Sequence, residues 1–149
     1  MAFCAISFVK MIHSVDSLHL LGEINKQAAK VNRTVDCLLQ LHVAKEKTKF
    51  GFTPDECHEI LEAGDWRQLT NVRICGVMGM ATNTDDTEEV CKEFKEIHNF
   101  FNEAKTKYFA DVPWFSEVSM GMSEDYPIAV ECGSTMVRVG TSIFGPRQY

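Results

Sequence analysis

Between Met11 and Val139, short apolar runs of strand length alternate with longer segments in which apolar residues recur every three or four positions. No other feature of the chain constrains the fold as strongly. Met11-Ile12 leads into His13-Ser14-Val15-Asp16-Ser17, after which Leu18, Leu20, Leu21, Ile24 and Ala28 follow helical spacing, with Asp16 or Ser17 placed to cap the helix. Val35 to Val43 is a nearly continuous apolar run, the pattern of a parallel strand covered on both faces. Thr53-Pro54-Asp55-Glu56 reads as an N-cap with proline at the first helical position, and Cys57, Ile60 and Leu61 then share a face. Val72 to Met78 predicts a third strand. Thr87 to Lys107 predicts a long helix striped by Val90, Phe94, Ile97, Phe101 and Ala104. Trp114 to Ser119 reads as a fourth strand, Glu124 to Val130 as a short helix and Met136 to Val139 as a fifth strand. Such alternation predicts an α/β fold with a parallel sheet, either open and doubly wound or part of a closed barrel. In both architectures the chemistry gathers where the strands end, in the loops that lead into the helices.

The 149 residues, 45% apolar and 24% charged, suit one domain with a substantial core, and no linker or repeat divides them. A net charge of −6 argues against nucleic acid as a partner, because phosphate backbones require a basic face. No stretch approaches the roughly 20 apolar residues of a membrane span. Cys4, Cys37, Cys57, Cys75, Cys91 and Cys132 stand singly, without the paired spacing of a metal site, which points to reduced thiols in a cytoplasmic protein. Met1 to Val9 is apolar but lacks the basic start and cleavage site of a secretion signal.

Two strands end in small and hydroxyl-bearing residues: Val118-Ser-Met-Gly-Met-Ser-Glu-Asp125 and Gly133-Ser-Thr-Met-Val-Arg-Val-Gly-Thr-Ser-Ile-Phe-Gly145. Backbone amides and hydroxyls at such ends bind a phosphate dianion, a role that Ser123, Gly140 and Thr141 fit. Ser123 as a helix cap and Gly140-Thr141 as an ordinary turn is the alternative. Arg138 lies between Val137 and Val139 and faces opposite to them; if the valines pack under helices, the guanidinium points inward and requires an acceptor, either a carboxylate or a ligand atom.

These two segments, ending in Gly145-Pro-Arg147, resemble the signature pair of the pyridoxal-phosphate homeostasis family, whose barrel is similar to the N-terminal domain of alanine racemase. Ile12-His-Ser-Val-Asp-Ser17, Thr48-Lys-Phe-Gly-Phe52 with Pro54, and Gly76-Val-Met-Gly-Met80 extend the resemblance from Met11 to Tyr149. It implies a partial (β/α)8 barrel, the C-terminal five strand-helix units of an alanine-racemase-like domain, and pyridoxal 5′-phosphate as the cofactor. The phosphate is expected on Ser123, Gly140 and Thr141, the pyridine nitrogen opposite Arg138, and Met78 and Met80 at the ring pocket, where core packing explains the methionines equally well. A protonated guanidinium at the ring nitrogen suits carrying a cofactor better than carbanion chemistry.

In that family the lysine that joins the cofactor lies on the first barrel strand, in a segment expected before Met11, so a Schiff base is expected to be weak or absent here. Of the ten lysines, Lys49 is the one to test, with pairing to Glu46 the competing role. A half-barrel is expected to leave two open sheet edges and an apolar interior in water, and so to self-associate. The function implied is cofactor binding without catalysis. A racemase-like enzyme fragment and a ligand-free half-barrel that binds partners are the alternatives, and His13, His19, His42, His58 and His98 are expected to be structural.

Overall fold

The computed structural model describes residues 5–149; Cys4 lies outside them. Strand β1 (Met11–Val15) leads to helix α1 (Leu18–Lys30), β2 (Val35–Leu41) to α2 (Pro54–Ala63), and β3 (Val72–Gly79) to α3 (Thr87–Lys107). Strand β4 (Glu117–Met122), α4 (Tyr126–Glu131), β5 (Met136–Arg138) and the single turn α5 (Thr141–Phe144) complete the order. All strands run parallel in the order β1-β2-β3-β4-β5.

The helices start where the sequence supplies acceptors for the orphan amides of the first turn. Ser17 Oγ accepts from the Leu20 amide at 3.0 Å. Thr53 Oγ1 accepts from the Glu56 amide at 3.2 Å while the Glu56 carboxylate accepts from the Thr53 amide at 2.8 Å, a reciprocal capping box. Asp86 accepts from the amides of Glu88 and Glu89 at the head of α3.

The main core lies between the sheet and the helices. Cys37, Leu39 and Leu41 of β2, Val77 of β3, and Val118 and Met120 of β4 meet Leu21 and Ile24 of α1, Leu61 of α2, and Phe94 and Ile97 of α3. Burying each of the larger side chains contributes about 1.5–3 kcal/mol. The other face carries a smaller cluster of Leu38, Cys75 and Met78, with Met11 beside it.

Two hydrogen bonds show that the sheet is curled. His13 Nδ1 on β1 lies 2.9 Å from Ser119 Oγ on β4, although β2 and β3 intervene. Three strand spacings in a flat sheet would separate these backbones by roughly 14 Å, beyond the reach of the two side chains. Arg138 of β5 likewise reaches across β4 to the Gly79 carbonyl of β3, at 3.1 Å. The five strands thus form half of a barrel with the helices outside. Its interior is less open to water than expected: Leu38 is 0% and Met78 5% exposed, because β1, β4 and β5 bend toward one another over this face.

Several boundaries differ from the sequence expectation. Strand β4 begins at Glu117 rather than Trp114. Phe115 is buried in the preceding loop, stacked on Phe109 at 4.0 Å, and Trp114 is exposed with the Arg73 guanidinium 5.5 Å from its ring, so the aromatic pair plugs the base of the core. Helix α4 begins at Tyr126 rather than Glu124, because the Asp125 carboxylate accepts from the Met122 amide at 2.8 Å and closes a turn first. Strand β2 stops at Leu41, two residues before the expected end, and β5 stops at Arg138. The 3-10 turn Asp65–Gln68 and α5 carry too few residues to show a periodicity.

Candidate functional site

At the C-terminal ends of the strands lies a cleft of about 1010 Å³. Its walls include Lys49 after β2, Ala81 and Thr82 after β3, Ser123 and Asp125 after β4, and Arg138, Gly140 and Thr141 at the end of β5. A concavity of similar size between α2, α3 and α4 shares Thr87 and Ile128 with this cleft but contains none of Lys49, Ser123, Arg138, Gly140 and Thr141.

Arg138 turns to the concave side, as alternation along β5 requires, but not because its neighbours are covered: Val137 is 41% exposed. The guanidinium donates to Ser119 Oγ at 2.6 Å and to the Gly79 carbonyl at 3.1 Å. Guanidinium carries five N–H donors, so these bonds anchor it while leaving donors for a ligand. Burial pulls its pKa below the ordinary arginine value, opposed by the nearby Asp125 carboxylate, and the group remains a cation at neutral pH. Among the described residues no carboxylate pairs with it directly, and its hydrogen-bond acceptors, Ser119 Oγ and the Gly79 carbonyl, are neutral.

Ser123 does not cap α4. Its Oγ accepts from the Ser142 amide at 3.1 Å, which ties the turn after β4 to the turn after β5. The two hydroxyl-rich segments, separate in sequence, therefore form one rim in which Ser123, Gly140 and Thr141 stand together. A Cβ added to Gly140 would meet nothing within 4 Å. The glycine borders open space at the rim.

Lys49 lies on the opposite wall, donating to the Ala81 carbonyl at 2.6 Å and pairing with Glu46 at 3.4 Å. The neighbouring loop is fixed by Glu93, buried at 5% exposure, which accepts from the amide and the hydroxyl of Thr82, both at 2.6 Å. Met78 is paired in register with Ser119 and packs against Leu38 and Cys75 below the cleft, and Met80 is half-buried just beyond β3. Lys10 sits at the other end of the half-barrel, 3.3 Å from Asp36, which also accepts from Arg73.

The pairing of Ser119 with Arg138 and with His13, and the Thr82–Glu93 clamp, join residues that no local sequence pattern brings together. A polar residue at an inward-facing position of a strand is the signal that marks the first two. The five cysteines among the described residues are free; Cys91 and Cys132 are neighbours, with their sulfurs 3.4 Å apart. Among the described residues no helix is long and apolar enough to cross a membrane.

Residues 4–148 match the family described as alanine racemase, N-terminal domain. The chain belongs to that family. A pyridoxal phosphate homeostasis protein of Aquifex aeolicus is 36% identical over 141 residues, which cover 95% of this chain and 60% of that protein. One of the same name from Vibrio alginolyticus is 33% identical, over 93% of this chain and 57% of that protein. The chain thus spans about 60% of the length of these curated relatives. PipY of Synechococcus elongatus, solved with PLP bound, superposes with a TM-score of 0.83 at 32% identity, over 97% of this chain and 65% of that one. The same protein solved without PLP gives a TM-score of 0.85. A D-threonine aldolase from Filomicrobium marinum, 13% identical with a TM-score of 0.67, shares the alanine-racemase-like fold.

Proposed function

We propose that this chain binds pyridoxal 5′-phosphate at the cleft as part of a cofactor-homeostasis protein of the cytoplasm, holding the cofactor without turning over a substrate. The observation that carries this reading is the joint placement of an anchored, unpaired guanidinium and a hydroxyl and glycine rim in one cleft. Ser123, Gly140 and Thr141 receive the phosphate. The spare Arg138 donors meet the pyridine nitrogen, and Met78 supplies apolar floor beneath the ring. When bound, the group offers an aldehyde that reacts with amines and a ring that withdraws electrons. Arg138 donates to the ring nitrogen but does not give up its proton, which restrains the electron-withdrawing role that racemases and aldolases exploit. The names of the relatives, homeostasis proteins rather than enzymes, support the non-catalytic reading.

Calorimetric titration with pyridoxal 5′-phosphate tests it, with Arg138→Ala and Ser123→Ala as comparisons. Saturable binding is expected, weakened roughly ten- to hundredfold by Arg138→Ala, the range for losing hydrogen bonds from a charged group. No saturable binding, or binding indifferent to both substitutions, would overturn the reading.

A further inference from the structure

Ser119 is 0% exposed and stands between two partners, Arg138 at 2.6 Å and His13 Nδ1 at 2.9 Å. A serine hydroxyl has one proton and two lone pairs, and a guanidinium only donates. Arg138 therefore occupies a Ser119 lone pair. If His13 Nδ1 also donated, the Ser119 proton would be buried without an acceptor, at a desolvation penalty typical of an unsatisfied group. All three groups are satisfied in one arrangement: Ser119 donates to an unprotonated Nδ1, and His13 carries its proton on Nε2.

We propose that His13 is a positioning residue for Arg138: by taking the Ser119 proton it turns the serine lone pair toward the guanidinium and aims the spare donors at the ring nitrogen of the cofactor. The inference rests on the cofactor reading above for what Arg138 meets, whereas the hydrogen-bond relay itself belongs to the chain. Protonation of His13 breaks the arrangement. Imidazolium would place a second donor and a second positive charge against Ser119 and Arg138.

The surroundings agree with a neutral ring. Burial first, and then the Arg138 charge, lower the His13 pKa below 6.5. On the concave side β2 and β3 bring Leu38, Gln40, Cys75 and Met78, of which only the Cys75 thiol titrates, and burial pushes that up to about 11. Asp36 lies at the far end, between Lys10 and Arg73, and the Asp125 carboxylate acts on Arg138. No carboxylate is among the groups that shift His13.

The test is nitrogen-detected NMR of the ligand-free chain across pH, followed by titration with 4′-deoxypyridoxine 5′-phosphate, which has the ring nitrogen and phosphate but no aldehyde. His13 is expected to carry its proton on Nε2 and to titrate below 6.5, with the Arg138 guanidinium signals moving at the same midpoint. Ser119→Ala should uncouple the two. His13→Leu should weaken the probe roughly three- to tenfold at pH 7.5, the range for one hydrogen bond, and His13→Asn, whose Oδ1 replaces Nδ1 as acceptor, should restore it and remove the pH dependence. Protonated Nδ1 at neutral pH, or Arg138 signals indifferent to His13 titration, would overturn the proposal even if the probe binds. Coupled NMR titrations without probe binding would leave the relay standing and refute the cofactor reading instead.

Discussion

Substituting Gly76 by alanine should destabilise the half-barrel at the bulge of β3. Gly76 lies in β3 with φ at +154°, at the point where the register against β2 slips between Cys37 and Leu38. The slip puts Ile74 and Val77 against the helices while Cys75 and Met78 face the interior, so the bulge decides what the upper half of β3 presents to the cleft. An added Cβ would run into the carbonyl of Glu117 on the adjacent β4. The sparsely populated backbone conformation costs about 1–3 kcal/mol for an L-residue, and separating two hydrogen-bonded strands adds about 1–3 kcal/mol of overpacking. The expected loss is therefore about 2–6 kcal/mol, which for a chain of this length lowers the melting temperature by roughly 4–24 °C. Gly22 serves as the control. It lies within α1, where a Cβ meets nothing within 4 Å, and Gly22→Ala should stabilise by about 0.5–1 kcal/mol through helix propensity alone. Calorimetry of the two variants should give shifts of opposite sign. A Gly76→Ala protein that melts within a degree of the parent would refute the bulge argument and the register that places Met78 beside Ser119.

The remaining predictions concern titration, oxidation and association. The folded-state pKa of His13 is lowered, so its neutral form stabilises the fold above pH 6.5, and that contribution is lost as pH falls through the folded value; His13→Asn should flatten this part of a stability–pH profile measured by urea unfolding. Mild oxidation with a small disulfide should link Cys91 to Cys132 before any other described pair, since their sulfurs lie 3.4 Å apart; peptide mapping that finds a different pair would contradict this contact. Val137 on edge strand β5 is exposed, with Ile143 and Phe144 beyond it, so the chain should self-associate through this edge; light scattering that shows a monomer at every concentration would contradict it.

What could be read in the sequence was what repeats. Strand-helix alternation and capping residues such as Ser17 and Thr53 act locally, and the structure follows them closely. Trp114 and Phe115 misled because aromatic residues favour strands, and only the packing of Phe115 on Phe109 shows that they belong to a loop. The inward direction of Arg138 followed from alternation, but its partners did not, because Ser119 and Gly79 are brought to it by curl across the sheet. The relay from His13 spans 106 residues and crosses two strands, so no local pattern encodes it. Ser123 stands out in the sequence as a hydroxyl at a strand end, yet its bond to Ser142 depends on how two loops meet.

Whether the cleft at the strand ends holds pyridoxal 5′-phosphate is decided by amide chemical-shift mapping of the labelled chain during titration with the cofactor. Saturable shifts centred on Ser123, Arg138, Gly140 and Thr141 are expected, with His58, Lys95 and Glu103 in the groove between α2 and α3 unmoved. Shifts confined to that groove, or none that saturate, would contradict binding in the cleft.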